Sequence, residues 1–242
     1  MNKFIALIVV TFLNIALFAQ KVTVNDPNAQ ARQVGGFTGI KVSSAIDLYL
    51  SQDDVEAVAV SAAKIEDRDK IRTEVDNNGV LKIWFDNKNN WWKNTGNKRL
   101  KAYVSFKTLN RLSASGACDV VVNGAINSPN ADFVMDFSGA SDFKGEINAK
   151  SMNVDLSGAS DIDIKGKVEH LEIEASGASS FKGYGFATDN CSAHASGASD
   201  IRLTVNKELS GKASGASGIY YEGDGTMRDV KTSGASSISR RG

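Results

Sequence analysis

A chain of 242 residues is long enough to bury a substantial core, and an apolar share of 42% sets it apart from disordered sequences. Its 28 basic and 28 acidic side chains cancel, so no global field draws it to nucleic acid or to an anionic membrane. Twenty-two glycines against two prolines, with most of the excess over average usage in a periodic pattern, point to a repeat architecture and away from flexible linkers.

Lys3, the apolar run Phe4 to Phe18 broken only by Thr11 and Asn14, and then Ala19 before polar Gln20-Lys21 read as a signal peptide over residues 1–19. Leu17 departs from the pattern, since a small residue is preferred there. The run is short for a membrane span. The expectation is an exported chain with no transmembrane span after cleavage, destined for the periplasm, the outer membrane surface or the extracellular medium.

Residues 20–35 form an N-terminal segment, and 36–110 are expected to be irregular coils with an inserted hairpin. Ile40, Val42, Leu48 and Leu50 alternate around Ser43-Ser44-Ala45-Ile46-Asp47-Leu48, a degenerate copy of a motif that recurs downstream. Val55 to Val60 reads as a strand and Lys64 to Ile71 as one short helix. Ile71 to Val75 and Val80 to Phe85 are strands flanking Asn77-Asn78-Gly79, a hairpin turn.

Asp86 to Lys98 is a polar, Asn-rich loop that carries Trp91 and Trp92. Aromatic area normally stays inside a protein. Tryptophans set among Asn and Lys suit stacking on a sugar or contact with a protein partner. Trp91 and Trp92 are therefore the candidate ligand-binding residues; the competing reading has one of them capping the core. Leu100 to Phe106 is a further strand.

From residue 111 to 242 the chain repeats. Ser-Gly-Ala occurs seven times, its serines at Ser115, Ser138, Ser157, Ser176, Ser196, Ser214 and Ser233, with steps of 23, 19, 19, 20, 18 and 19 residues. The next residue is Ser six times and Cys118 once, and two residues later an apolar side chain always follows: Val120, Phe143, Ile162, Phe181, Ile201, Ile219 and Ile238. Upstream the pattern alternates, as in Leu171-Glu172-Ile173-Glu174-Ala175, the period of a strand with one buried face. A unit of about 19 residues cannot bury its own apolar face, so successive units must stack. The predicted fold is all-β: a right-handed parallel β-helix, its turns roughly 4.8 Å apart. Gly-Ala is expected to make the corner, with the small Ala pointing inward, and Ser and Asp to bond to the backbone and to their copies in adjacent turns. Leucine-rich repeats share the period, but their helix-face leucines and Asn ladder are missing.

One outward column, two residues before the motif serine, runs Ser113, Asp136, Asp155, Glu174, His194, Lys212 and Lys231. It passes from acidic to basic, and its three stacked carboxylates would repel one another. A cation site and a solvated face are the two readings of that stack. Cys118 and Cys191 lie about four turns, or roughly 19 Å, apart, beyond disulfide reach, so two free thiols are expected.

The repeated S-G-A-S-D-[IF], together with F-T-G-I-K-V-S-S-A-I-D-L-Y-L (Phe37 to Leu50) and I-R-T-E-V-D-N-N-G-V-L-K-I (Ile71 to Ile83), resembles the auto-transporter adhesin head GIN domain family over about residues 36–238. The resemblance implies a β-helical fold, an envelope or surface location and an origin among exported proteins of Bacteroidota. It supplies no catalytic residues. No stretch reads as the membrane barrel or sorting domain that a complete auto-transporter would need.

The chain contains no G-x-S-x-G elbow, Walker loop, H-E-x-x-H or C-x-x-C pair. His170 and His194 lie in different turns and read as structural. No cofactor, metal site or catalytic residue is assigned. The rival enzyme is a polysaccharide hydrolase or lyase, with Asp142, Asp161 and Asp163 as the carboxylates hydrolysis would need; repeat position alone also explains them. The expected function is thus a non-enzymatic, adhesin-like envelope module with a glycan or surface protein as partner. A polysaccharide-active enzyme and a purely structural envelope protein are the alternatives. Open strand edges at the solenoid ends make homo-oligomerisation an expected mode of assembly.

Overall fold

The computed structural model describes residues 26–87 and 98–241. In chain order the elements are β1 (Gln30–Arg32), β2 (Gly39–Ser43), β3 (Asp47–Gln52), β4 (Ala57–Ser61), α1 (Ile65–Arg68), β5 (Ile71–Val75), β6 (Val80–Phe85), β7 (Lys101–Phe106) and β8 (Arg111–Ser115). They continue as β9 (Asp119–Phe137), β10 (Asp142–Leu156), β11 (Asp161–Ala175), β12 (Ser180–Ala195), β13 (Asp200–Gly215), β14 (Gly218–Glu222), β15 (Thr226–Gly234) and β16 (Ser237–Arg240). The fold is a β-solenoid of about 7 turns with coils of roughly 19 residues.

From β9 to β13 each turn is one long strand from corner to corner; the next turn is divided between β14 and β15. The strands bend at bulges, with register shifts such as Lys144/Glu146 in β10 and Asp163/Gly166 in β11. Pairing is parallel throughout the regular turns: Phe143 faces Val120 and Ile162, and Ile201 faces Phe181 and Ile219. In β11, Leu171, Ile173 and Ala175 are buried while Glu172 and Glu174 face solvent. The inward residues form continuous columns; Leu48, Val120, Phe143, Ile162, Phe181, Ile201 and Ile219 make one, and all are buried. Burying each such side chain contributes about 1.5–3 kcal/mol, but only because the neighbouring turns supply the covering atoms.

The corners stack as expected, with a different residue facing inward. Gly116, Gly139, Gly158, Gly177, Gly197, Gly215 and Gly234 have φ between 73° and 95°. The amide of the alanine that follows donates to the glycine carbonyl of the preceding turn at 2.7–2.8 Å, from Ala140 to Ala235. Glycine and alanine both face solvent. The inward residue is the next one, and Cys118, Ser141, Ser160, Ser179, Ser199 and Ser217 are buried. The reason is hydrogen bonding. The motif serine's carbonyl needs a donor at the corner, and the buried hydroxyl three residues on supplies it at 2.8–3.1 Å in every turn from Ser141 to Ser236. Alanine could not. In the later turns the same hydroxyl also reaches the preceding turn's alanine carbonyl, as Ser199 Oγ does to Ala175 O at 3.0 Å. These serines thus bond to backbone; no bond joins one to its copy among the described residues.

The N-terminal end is built out of chain order. β2, the corner at Ser43–Ala45 and β3 form the first turn, in register with β8 and β9 (Ser43 opposite Ser115, Leu48 opposite Val120). On its other side lie β6 and β7, also parallel, with Leu81 opposite Ile40 and Ala102 opposite Leu48. The predicted hairpin is there as β5 and β6, and β6 doubles as part of a solenoid turn. β5 closes β6, β4 closes β7 and β1 closes β4, all antiparallel. The helix is a single turn, shorter than expected, because Ile71 is claimed by pairing with Phe85. Arg32 ties β1 to it through the carbonyls of Arg68 and Ile71 at 3.2 and 3.3 Å. At the other end Met227 and Val230 of β15 are exposed.

Cys118 occupies the buried serine column, its Sγ 3.3 Å from the carbonyl of Ser115. Cys191 is opposite Leu171 and Leu209 in another column, and both thiols are free. Burial raises the pKa of each.

Candidate functional site

Three surfaces carry chemistry. The first is the segment joining β6 to β7. In every other turn this place holds a short corner; here it holds residues 86–100. Its base is fastened: the Asp86 amide donates to Lys70 O at 2.9 Å, the Ala63 amide to Lys98 O at 2.9 Å, and the Asp47 amide to Leu100 O at 2.9 Å. Lys98 Nζ lies 4.4 Å from the Phe85 ring centroid, and Arg72 pairs with Asp86 at 3.4 Å. Trp91 and Trp92 lie outside the described residues. Trp84, which the sequence reading passed over, is half-buried on the outward side of β6, opposite Arg72. The alternation Leu81-Lys82-Ile83-Trp84-Phe85 was the signal for it.

The second surface is the outward column before the corner. Its residues are in register from turn to turn, and the structure extends it: Lys41 is opposite Ser113, and Lys82 is opposite Lys41. Beside it runs a groove of about 450 Å³, which Asp155, Glu174, His194, Lys212 and Lys231 border. Asp136 accepts from Ser113 Oγ at 3.0 Å and pairs with Arg111 at 3.4 Å. Glu174 has His194 at 3.7 Å. Partial burial, and then the charges of Asp136 and Glu174, raise the carboxyl pKa of Asp155. A parallel groove of about 420 Å³ lies along Ser151, His170, Asn190 and Glu208. Both histidines face outward, His170 with Asn190 Nδ2 at 3.5 Å from its Nδ1.

The third surface follows the corner. Asp47, Asp119, Asp142 and Asp161 stack on successive turns, then Ser180 and Asp200. The structure brings the three hydrolase candidates to one groove, which Asp142, Asp161, Asp163, Lys144 and Lys182 line. Partial burial, and the neighbouring Asp119 and Asp161 charges, raise Asp142, although an amide at Asp161 works against them. Asp161 is held by Lys182 Nζ at 2.7 Å. Among the described residues no group of three or more His, Cys, Asp or Glu side chains converges for a metal ion, and no helix is long and apolar enough to cross a membrane.

Comparison with known proteins follows this geometry. The solenoid is similar to the crystal structure of a "putative adhesin" from Bacteroides fragilis, at TM-score 0.79 and 18% identity over 88% of this chain and 96% of that one. It is also similar to a "putative lipid binding protein" from Parabacteroides distasonis, at TM-score 0.65 and 18% identity over 90% and 98% of the two chains. A "putative adhesin" from Parabacteroides merdae matches at TM-score 0.62 and 13% identity over 88% and 95%. At such identities these likenesses speak to the fold. No curated protein matches the chain. The profile of the family described as "Putative auto-transporter adhesin, head GIN domain" matches residues 36–225, from the first turn to the start of the last. The chain therefore belongs to the auto-transporter adhesin head GIN domain family.

Proposed function

We propose that the protein is an exported, non-enzymatic envelope module of adhesin type that engages glycan or a surface protein through the loop bearing Trp91 and Trp92. The observation that carries this reading is the placement of that loop. Its fastened base stands at the corner of the β6–β7 turn, where the other turns have three small residues, with Trp84 half-buried outward on the strand that feeds it. A scaffold that fastens both ends of a binding loop suits a partner contact, because the ends lose little conformational freedom on binding. The adhesin description of the family supports the same role.

Glycan-array binding of the purified protein and of the Trp91→Ala/Trp92→Ala variant tests it. A loss of about tenfold or more is expected, the effect of removing an aromatic anchor. Undiminished binding by the variant would remove the site. A wild-type protein that binds neither glycan nor isolated envelope proteins would be a structural component instead. The same incubations report on hydrolysis: release of new reducing ends, lost in Asp142→Asn, would make the groove of unlike carboxylates an active site.

A further inference from the structure

We propose that the outward column running through Asp155, Glu174, His194, Lys212 and Lys231 is a self-recognition surface, on which two copies of the chain pack face to face with their long axes antiparallel. The inference goes beyond the loop-borne binding role and does not depend on it.

On a solenoid, outward residues of successive turns form straight columns about 4.8 Å apart. A two-fold axis lying in the interface and parallel to the strands reverses the long axis of the partner. It also leaves each column opposite its own copy, the self-complementary arrangement of a two-fold dimer. A column whose charge changes sign along its length then meets its complement. With the axis at His194, Glu174 faces Lys212 of the second copy and Asp155 faces Lys231, and symmetry repeats both pairs. His194 meets its own copy.

The flanking columns accept this arrangement. In one, Ser192 lies on the axis, Glu172 faces Ser210 and Asn153 faces Arg228. In the next one out on the same side, Asn190 lies on the axis, His170 faces Glu208 and Ser151 faces Thr226. No acid is set opposite an acid, nor a lysine or arginine opposite another. A parallel arrangement would put every charge against its like, at a cost.

Within a single copy the groups in question also lack full counter-charges. Asp136 already has Arg111, and Lys82, at the far end of the column, already has Asp76 at 3.0 Å. Among the described residues Lys212 and Lys231 have no ion-pair partner, Asp155 has none, and Glu174 has only His194. Partial burial raises Asp155 first and its acidic neighbours add to it; an approaching lysine offsets the neighbours' share. Five turns by a strand length of about six residues give a patch of about 19 by 20 Å. That is small for a permanent interface, so the association is weak, polar and salt-dependent.

Sedimentation velocity on the full chain, without ligand, tests the proposal. At about 0.02 M salt and about 1 mM protein the wild type sediments as a dimer; at about 1 M salt, where the screening length is about 3 Å, it is a monomer. Asp155→Lys/Glu174→Lys has a basic column, and Lys212→Glu/Lys231→Glu an acidic one. Each alone is monomeric, and an equimolar mixture forms the heterodimer. Because the mixture must associate, misfolding of a variant cannot pass for the result. A wild type that is monomeric at low salt would overturn the proposal. So would a Lys212→Glu/Lys231→Glu variant that still dimerises, or a mixture that does not. The Trp91→Ala/Trp92→Ala variant dimerises like the wild type, which separates this proposal from the glycan-binding role.

Discussion

From Gly139 on, each corner glycine is stacked on the glycine of the preceding turn, whereas at the first corner Ser44 and Ala45 stand in the left-handed region with φ of 71° and 56°. Both corners deliver the same register: Leu48 opposite Val120 at the first, Phe143 opposite Val120 at the next. What differs is the neighbour. A Cβ on Gly139 would sit 2.4 Å from the carbonyl oxygen of Gly116, while a Cβ on Gly116 would meet nothing closer than Ser44 N at 3.5 Å. On the far side of Ser44 lie β6 and β7, joined in sequence by residues 86–100 where the other turns have a three-residue corner. Positive φ alone thus does not bar a side chain, as Ser44 and Ala45 show. From Gly139 on, the carbonyl of the turn beneath does, by occupying the space a Cβ would need.

The sharpest way to break this comparison is a pair of alanine substitutions. Gly158→Ala places a Cβ 2.4 Å from Gly139 O and at φ +73°. The backbone must shift, weakening the 2.7 Å bond from Ala159 N to that oxygen. Left-handed strain and overpacking together give a loss of about 3 kcal/mol or more. Gly116→Ala meets no such contact and should lose only the conformational term, about 1–2 kcal/mol. Thermal unfolding followed by circular dichroism ranks the two. Equal losses would mean that φ, and not stacking, sets the residue.

The regular turns were legible because periodicity reports on registration directly: seven motifs at nearly constant steps must stack if their apolar faces are to be covered. The first turn was legible for the same reason, since Ser43 to Leu48 repeats the corner in degraded form. The direction of the corner residues was not. Ser, Gly, Ala and Ser are all small and do not alternate in polarity, so only the bond from the second serine's hydroxyl to the first serine's carbonyl identifies the inward one. Nor was the closed N-terminal end legible. β6 and β7 look like any short strands, and their stacking against chain order depends on β2 and β3 offering a free edge. The acidic-to-basic column was readable from spacing; its extension through Lys41 and Lys82 needed the topology.

A smaller effect is expected where the corner loses its donor. Ser199 Oγ serves two carbonyls, Ser196 O at 2.9 Å and Ala175 O at 3.0 Å, in a fully buried position. Ser199→Ala leaves both without that donor and should cost about 1–2 kcal/mol. Ser199→Cys should cost less, because Cys118 already fills the same column with its Sγ 3.3 Å from the carbonyl of Ser115. By the same logic Cys118→Ser restores the stronger donor and leaves stability unchanged or raised. Urea unfolding curves with a common slope give the order. A Ser199→Ala protein as stable as the wild type would show that the hydroxyl column is not what holds the corners.

The smallest effect sharpens the comparison from the other side. Ser44 has a side chain in the left-handed region, at a strain of about 1–2 kcal/mol. Ser44→Gly removes that strain but adds the conformational freedom of an unfolded glycine, worth about 0.4–1 kcal/mol in the opposite direction. The two nearly cancel, leaving a stabilisation below about 1 kcal/mol. The reciprocal change, Gly158→Ser, meets the same carbonyl as Gly158→Ala and should be as damaging. One pair of residue types, exchanged at equivalent corners, thus has effects of opposite sign. If Ser44→Gly destabilised the protein strongly, the serine side chain would have to hold the first corner itself, and the end of the column would be a capping device instead of a position where the stacking constraint lapses.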